Sequence, residues 1–286
     1  MNNVKIRLAT ATEADYHGIT KIYKPDDEGP WKEYEGCKAW ISKRLERGFY
    51  IQVAEIDGKI IAHGEWIISD EPDRKFLYLG MLEVNEDYRG KGVGRLMIAD
   101  GIAHAKKNNC SQAVTSPDMD NRADIFYRKC GFIDGRKYYT SKILTKPYKD
   151  YKHEGINLDK VPFLAIKENK FIFGKGQFCS RHMWEVYNEK PSNDTDRLSP
   201  AILLPDGTYI QLGYWKIDEG CSILVWSNST DYNNIIKSAL SFGYSLGLRH
   251  LDFDYLEDEE VFLDGFEEYD KTQEDGFEQI YYLREE

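Results

Sequence analysis

Residues 88–95 read Tyr-Arg-Gly-Lys-Gly-Val-Gly-Arg, and the run that follows, RLMIADGIAHAKKN (95–108), carries apolar residues at helical spacing. Three alternate glycines cost backbone entropy, so a loop built this way must repay it with something only glycine allows. The segment before it, KFLYLGMLEVN (75–85), is almost wholly apolar and predicts a central strand. A central strand, a glycine turn and a helix N-terminus together form an anion site. The first-turn amides have no helical partner, the helix dipole adds partial positive charge, and glycines let the backbone approach a phosphate. Arg89, Lys91 and Arg95 add full charges, and a pyrophosphate is the natural guest. The spacing is neither Gly-x-Gly-x-x-Gly nor the phosphate loop ending in Gly-Lys-Ser/Thr.

Working outward, the first half alternates helix and strand signals. VKIRLAT (4–10) predicts a strand, and TEADYHGITKIY (12–23) a helix with Thr12 as N-cap. A second helix is expected between Pro30 and Gly48. FYIQVAEIDGKIIAHGEWIIS (49–69) reads as a hairpin around Asp57-Gly58. Beyond the glycine loop come a strand at 111–117, a short helix at 121–130 stopped by Gly131, and strand material at 132–144.

TKPYKDYKHEG (145–155) is polar and aperiodic and reads as a linker. The second half predicts a hairpin at 161–176, another around Asp206-Gly207, a strand at 221–227, a helix at 231–247, a strand at 249–256, a short helix at 257–265 and a final strand at 277–283. Both halves thus end in the same order: strand, helix, strand, short helix, Gly-Phe (Gly131-Phe132 and Gly265-Phe266), strand. This reads as a diverged internal duplication.

The 286 residues, 41% hydrophobic, suffice for one large domain or two medium ones. The sequence has no apolar run long enough to span a membrane and no apolar signal core, and its five cysteines are scattered without a Cys-x-x-Cys pair. These features predict a reduced, cytoplasmic protein with neither a zinc site nor a disulfide framework. Charge is uneven. Residues 1–146 carry 24 Lys and Arg against 22 Asp and Glu, and residues 147–286 carry 14 against 27. That acidic surface disfavours nucleic acid and suits either plain solvation or a cationic partner.

Arg89-x-x-Gly92-x-Gly94, together with the IRLATATEAD start, the VAEIDGKIIAHG hairpin, LEVNEDYRGKGVGRLM and NRADIFYRKCGF, resembles the GCN5-related N-acetyltransferase superfamily over residues 4–144. The resemblance implies a mixed α+β acyl-CoA N-acyltransferase fold, a twisted sheet flanked by helices. It implies an acetyl-coenzyme A-binding domain at 1–146, a linker at 147–153 and a degenerate acetyltransferase-like copy at 154–286. It implies acetyl-CoA as co-substrate, no metal, and a small-molecule or peptide amine as acceptor, with no nucleic acid or membrane partner.

Residue by residue, the backbone of Leu82, Glu83 and Val84 would hold the pantetheine arm like an added strand. Arg89, Gly90, Lys91, Gly92, Val93, Gly94 and Arg95 would cradle the pyrophosphate. Tyr127 would be the general acid to the departing thiolate, and Asn121 a contact to coenzyme A. Where the family places Asn seven residues before that tyrosine, this chain has Asp120, with Asn121 at six. The two places where the family often carries a glutamate base hold Tyr78 and Ser116, leaving Glu83 and Glu65 as candidate bases, each also readable as a solvated or paired carboxylate. Cys110 and Cys130 lie at element ends with no feature that would activate a thiol. The acceptor is expected near KPDDEGPW (24–31), where Asp26, Asp27 and Glu28 either attract a cation or form a solvated loop, and near the turn beside IDGRKYY (133–139). In the second half, WSNSTDYNN (226–234) has neither glycine nor cation and predicts lost donor binding. Trp215, Trp226, Tyr209 and Tyr214 are either core or pocket lining. Besides catalysis, an acyl-CoA sensor and an interaction scaffold are compatible with these residues.

Overall fold

The structure, a computed structural model, describes residues 3–25, 27, 29–117, 122–148, 155–156, 166–174, 179–188, 200–213 and 220–283. In chain order the first half runs β1 (Lys5–Leu8), α1 (Glu13–Thr20), α2 (Tyr34–Glu46), β2 (Tyr50–Ile56), β3 (Lys59–Asp70), β4 (Lys75–Val84), α3 (Val93–Lys107), β5 (Gln112–Thr115), α4 (Ala123–Lys129) and β6 (Ile133–Leu144). The second half runs β7 (Gly155–Ile156), β8 (Lys170–Phe173), α5 (Ser180–Asn188), β9 (Ala201–Leu203), β10 (Tyr209–Gly213), β11 (Gly220–Ser227), α6 (Tyr232–Ser245), β12 (His250–Leu256), a 3₁₀ turn (Glu257–Leu263) and β13 (Glu268–Tyr282). Thr12 caps α1 through its side chain as expected. Asp57 and Gly58 both take positive φ at the tip of the β2–β3 hairpin.

The described strands form a single mixed sheet ordered β1-β2-β3-β4-β5-β13-β6-β12-β11-β10-β9-β7, with β8 against β11. β4 and β5 are parallel, as are β11 and β12, and the other pairings are antiparallel. Each parallel pair is flanked by the other half's last strand: β13 lies against β5, and β6 lies against β12. The two exchanged strands then pair with each other at the middle of the sheet. Periodicity predicts strands here, but it carries no information about which half completes which pair. IDGRKYY is the first part of β6, paired with β13, and the turn beside it is at Cys130 to Phe132, between α4 and β6.

Apolar clusters cover the two faces. Alternation along β4 sends Phe76 and Tyr78 to α1 and α2, and Leu77 and Leu79 to α3 and α4. In the second half, α6 places Ile235, Ile236, Ala239 and Leu240 against Ile223, Val225, Leu251 and Phe253. The opposite face of the sheet holds Trp184 of α5 with Tyr209 and Trp226, both fully buried, so these two aromatics are core rather than pocket lining. Tyr214 and Trp215 lie outside the described residues, as do positions 149–153 of the expected linker and 161–165 and 175–176 of the expected hairpin. α5 has no counterpart among the sequence-based expectations, although Cys179, Met183 and Trp184 stand at helical spacing. No helix among the described residues is long and apolar enough to cross a membrane.

Candidate functional site

The central feature is where β4 and β5 part. Their parallel register runs from Phe76↔Gln112 to Leu79↔Thr115 and stops there. β4 continues to Val84, bonded to β3 only, and bulges at Gly80, between the Glu65↔Met81 and Trp66↔Leu79 pairs. Phe76 to Leu79 are buried, whereas Gly80 is exposed and Met81 to Val84 half-buried. The backbone of Leu82, Glu83 and Val84 on the β5 side thus has no strand partner among the described residues. It is an open edge ready for an extended chain.

The glycine loop lies at the end of this edge. Gly90 and Gly92 have φ of 72° and 86°, values that L side chains rarely adopt, and Gly92 is the N-cap of α3 with no side-chain cap. The first-turn amides of α3, from Val93 to Arg95, are therefore available to an anion. Arg89 does not extend into the loop. Its Nε donates to Val84 O at 2.9 Å and its NH2 to Glu83 Oε1 at 2.6 Å, which ties the loop to the strand. Lys91 sits over the Tyr88 ring, 5.3 Å from its centroid. Arg95 opens a 320 Å³ cavity with Ile98, Ala99, Ile102, Cys130 and Tyr281, in the size range of small-ligand pockets. Gly94 packs on Phe126 of α4.

Tyr127 is buried in the α3–α4 core. Burial pushes its phenol up to about 12, against the pull of a hydrogen bond with Thr115. Thr115 in turn donates to Leu79 O at 3.2 Å, so the chain of contacts ends at the last β4–β5 pair. Tyr127 is thus a protonated donor at the mouth of the splay. Asn121 and Asp120 lie outside the described residues. Ser116 donates to Phe277 O at 3.4 Å. Burial pushes the Cys110 and Cys130 thiols up, away from nucleophilic character.

The two candidate bases differ. Glu83 is half-buried; its Oε1 accepts from its own neighbour Val84 N and from Arg89. Its charge reaches both Tyr127 and Tyr23, on opposite faces of β4. Glu65 is only 2% exposed and surrounded by donors. Trp31 Nε1 lies 2.6 Å from Oε1, Trp40 Nε1 3.0 Å from the same oxygen, His63 Nε2 3.2 Å from it, and Arg44 Nε 3.3 Å from Oε2. Burial alone would raise this carboxyl, but the Arg44 charge and the His63 and Trp31 contacts outweigh it and hold it down at about 2. Arg44 stacks on Trp40 and Phe49, 3.9 Å and 4.3 Å from the ring centroids. The sequence reading missed this cluster. Its signal is an Arg at i+4 from Trp40, on the same face of α2 as buried Ile41 and Cys37. Of the expected acceptor acids, Asp27 accepts from Lys24 N at 2.6 Å, and Asp26 and Glu28 lie outside the described residues.

In the second half, the parallel pair β11–β12 and the helix α6 between them are built differently. The N-terminus of α6 is closed by Asp231, whose Oδ1 accepts from Asn234 N at 3.0 Å. Where β11 and β12 part after Ser222↔Asp252, β8 enters: Phe173 pairs with Val225, and Gly174 N donates to Asp254 O at 3.3 Å. Among the described residues no cluster of His, Cys, Asp and Glu is placed to hold a metal.

Residues 16–132 match the family model for the acetyltransferase (GNAT) family. A 120-residue stretch is 29% identical to an uncharacterized N-acetyltransferase of Methanocaldococcus jannaschii, covering 39% of this chain and 52% of that protein. The chain thus spans about half the length of the curated relative it matches. Two solved structures share the fold across nearly the whole chain. A GCN5-related N-acetyltransferase from Kribbella flavida superposes with a TM-score of 0.66 at 12% identity, covering 98% of this chain and 72% of that one. One from Anabaena variabilis gives 0.67 at 11%, covering 96% and 72%. In the glycine loop, the bulged central strand and the helix that carries Tyr127, residues 16–132 are similar to the acetyltransferase (GNAT) family, and the chain as a whole shares the fold of those two structures.

Proposed function

We propose that the protein transfers an acetyl group from acetyl-coenzyme A to a primary amine. The observation that carries this reading is the open edge of Leu82 to Val84, running from the Gly80 bulge toward the uncapped N-terminus of α3. The amides of Gly90 to Arg95, with the charges of Lys91 and Arg95, suit a pyrophosphate. The co-substrate supplies an activated thioester: the amine nitrogen forms the new C–N bond and the C–S bond breaks. Backbone donors of the Leu82 to Val84 edge other than Val84 N, which Glu83 already holds, stabilise the oxyanion. Tyr127 gives its proton to the departing sulfur, and Glu83 passes the amine's proton to solvent. Glu65, ionised and fully engaged, positions the α1–α2 side.

Residues 154–286 are read as a second, degenerate acetyltransferase-like unit joined to residues 1–146 through 147–153. The repeated order of elements, the strand exchange and the β8 wedge in its own splay support that reading. The five free cysteines suit a reducing compartment such as the cytoplasm.

The test is thiol release from acetyl-CoA with aminoglycosides, polyamines, amino acids and short peptides, with Tyr127→Phe alongside. Release that needs one amine class and falls by about 100-fold in the variant supports transfer. Both candidate carboxylates beside the splay, Glu83 and Glu65, are already engaged by an arginine, and this favours a second reading, an acyl-CoA sensor. Tight binding by calorimetry with no release from any amine would select it.

A further inference from the structure

The bulge in β4 is flanked on one side by the other half of the chain. Three residues of α5 anchor it on the first half. Arg181 donates to the carbonyls of Ile68 and Arg47 at 3.2 Å and 2.7 Å, Ser180 N donates to Glu71 Oε1 at 2.8 Å, and Glu185 pairs with Arg47. Trp184 is fixed in the second half's core. Between these anchors stands His182. Its ring packs on Tyr78 with centroids 5.0 Å apart. A Cβ added to Gly80 would lie 2.7 Å from His182 Cε1 and 3.2 Å from Nδ1. Glycine at the bulge is what admits the imidazole. Nδ1 is buried and has no hydrogen-bond partner among the described residues, a costly state for a polar atom unless something else fills it.

Position gives this nitrogen a use. Tyr78 and His182 lie on the α1–α2 side of β4, and Tyr127 on the α3–α4 side. Gly80, exposed between them, is where the acetyl-transfer reading puts the junction of donor and acceptor. We propose that His182, supplied by the C-terminal half, accepts a hydrogen bond at Nδ1 from the N–H of the incoming amine and so aims its lone pair at the thioester carbon. Burial and the Arg44 charge push the imidazole down to about 3, with Glu65 opposing, so the ring stays uncharged and keeps an acceptor lone pair in the Nε2–H tautomer. The C-terminal half thereby completes the acceptor side of a site whose donor side lies wholly in the first half. This rests on the acetyl-transfer reading.

The full-length protein is compared with His182→Phe and His182→Asn. Phe keeps the ring against Tyr78 without an acceptor; Asn keeps an acceptor atom near the position of Nδ1. For whichever of spermidine, kanamycin, L-methionine or Ala-Gly-Gly the wild type acetylates, His182→Phe is expected to lower kcat/KM for that amine by about tenfold to a hundredfold. Its affinity for acetyl-CoA by calorimetry stays unchanged, and His182→Asn recovers most of the loss. Equal activity of wild type and His182→Phe, or equal losses in both variants, would overturn the assignment while leaving acetyl transfer intact. If the wild type binds acetyl-CoA and acetylates none of the four, the transfer reading fails on its own. ¹⁵N NMR of the imidazole then decides the site independently. A shift of Nδ1 on adding any of the four amines supports His182 as the amine's partner, and no shift overturns it.

Discussion

Glu278, on the last strand of the chain, accepts a 2.7 Å hydrogen bond from Arg136 Nε of β6 while its other carboxylate oxygen lies 3.1 Å from Arg74 NH1, just before β4. The carboxylate is 1% exposed, and both of its cationic partners among the described residues lie in the first half of the chain. Glu278→Ala removes the buried carboxylate that Arg136 and Arg74 both reach and leaves a gap between the two exchanged strands. A loss of about 1–3 kcal/mol in urea unfolding is expected, from the lost charge-assisted hydrogen bonds. An unchanged midpoint would mean that the exchange is held by backbone pairing alone.

Removing residues 147–286 takes β13 away from both β5 and β6. β5 then loses its Gln112 to Thr115 pairing, and β6 is left without either neighbour. A 1–146 fragment is expected to aggregate or to lack near-ultraviolet circular dichroism, since unpaired central edges invite association. A cooperative thermal transition in that fragment would show that β6 can fold back to pair with β5.

Gly92→Ala forces a side chain into a left-handed conformation at φ 86°, although nothing lies within 4 Å of the added carbon. The cost is conformational, about 1–2 kcal/mol. It falls on the turn that presents the α3 amides, so acetyl-CoA affinity by calorimetry is expected to drop about tenfold or more while the melting temperature changes by only a few degrees.

Glu65→Gln removes the charge that balances Arg44 in the α2 cluster. The expected loss is about 3 kcal/mol at pH 7. The wild-type carboxyl is held at about 2, below the ordinary 4.5. Its contribution is therefore present above pH 4.5 and lost as pH falls toward 2. Guanidinium unfolding across this range should show the two proteins converging at the acid end.

Glu71 runs the other way. It accepts from Ser180 N and Ser69 Oγ, both at 2.8 Å, yet burial pushes its carboxyl from 4.5 up to about 7. The folded protein keeps a proton that the unfolded chain releases, so this contribution is full below pH 4.5 and lost as pH rises through 7. Glu71→Gln mimics the protonated form. It should raise stability relative to wild type by about 1–2 kcal/mol at pH 8 and by nearly nothing at pH 4.5. A constant offset at all pH values would remove Glu71 as the titrating group.

Local pattern alone determined much of this protein. Hairpin turns, caps, the glycine loop and the alternation along β4 depend on a residue and its near neighbours, so RGKGVG before an amphipathic run predicts an open helix N-terminus without coordinates. The short helix that carries Tyr127 was legible through its motif, and the protonated state of the phenol follows from the core around it. What only the tertiary structure decided are relations between distant segments. β13 and β6 trade places because an antiparallel partner is chosen by register and closure, which no window of sequence contains. Glu65 turns from a candidate base into an engaged anion because Trp31, Trp40, Arg44 and His63 converge on it from three elements. His182 reaches Gly80 from about one hundred positions away because α5 is anchored to both halves, and a contact at that separation leaves no periodic trace in the chain.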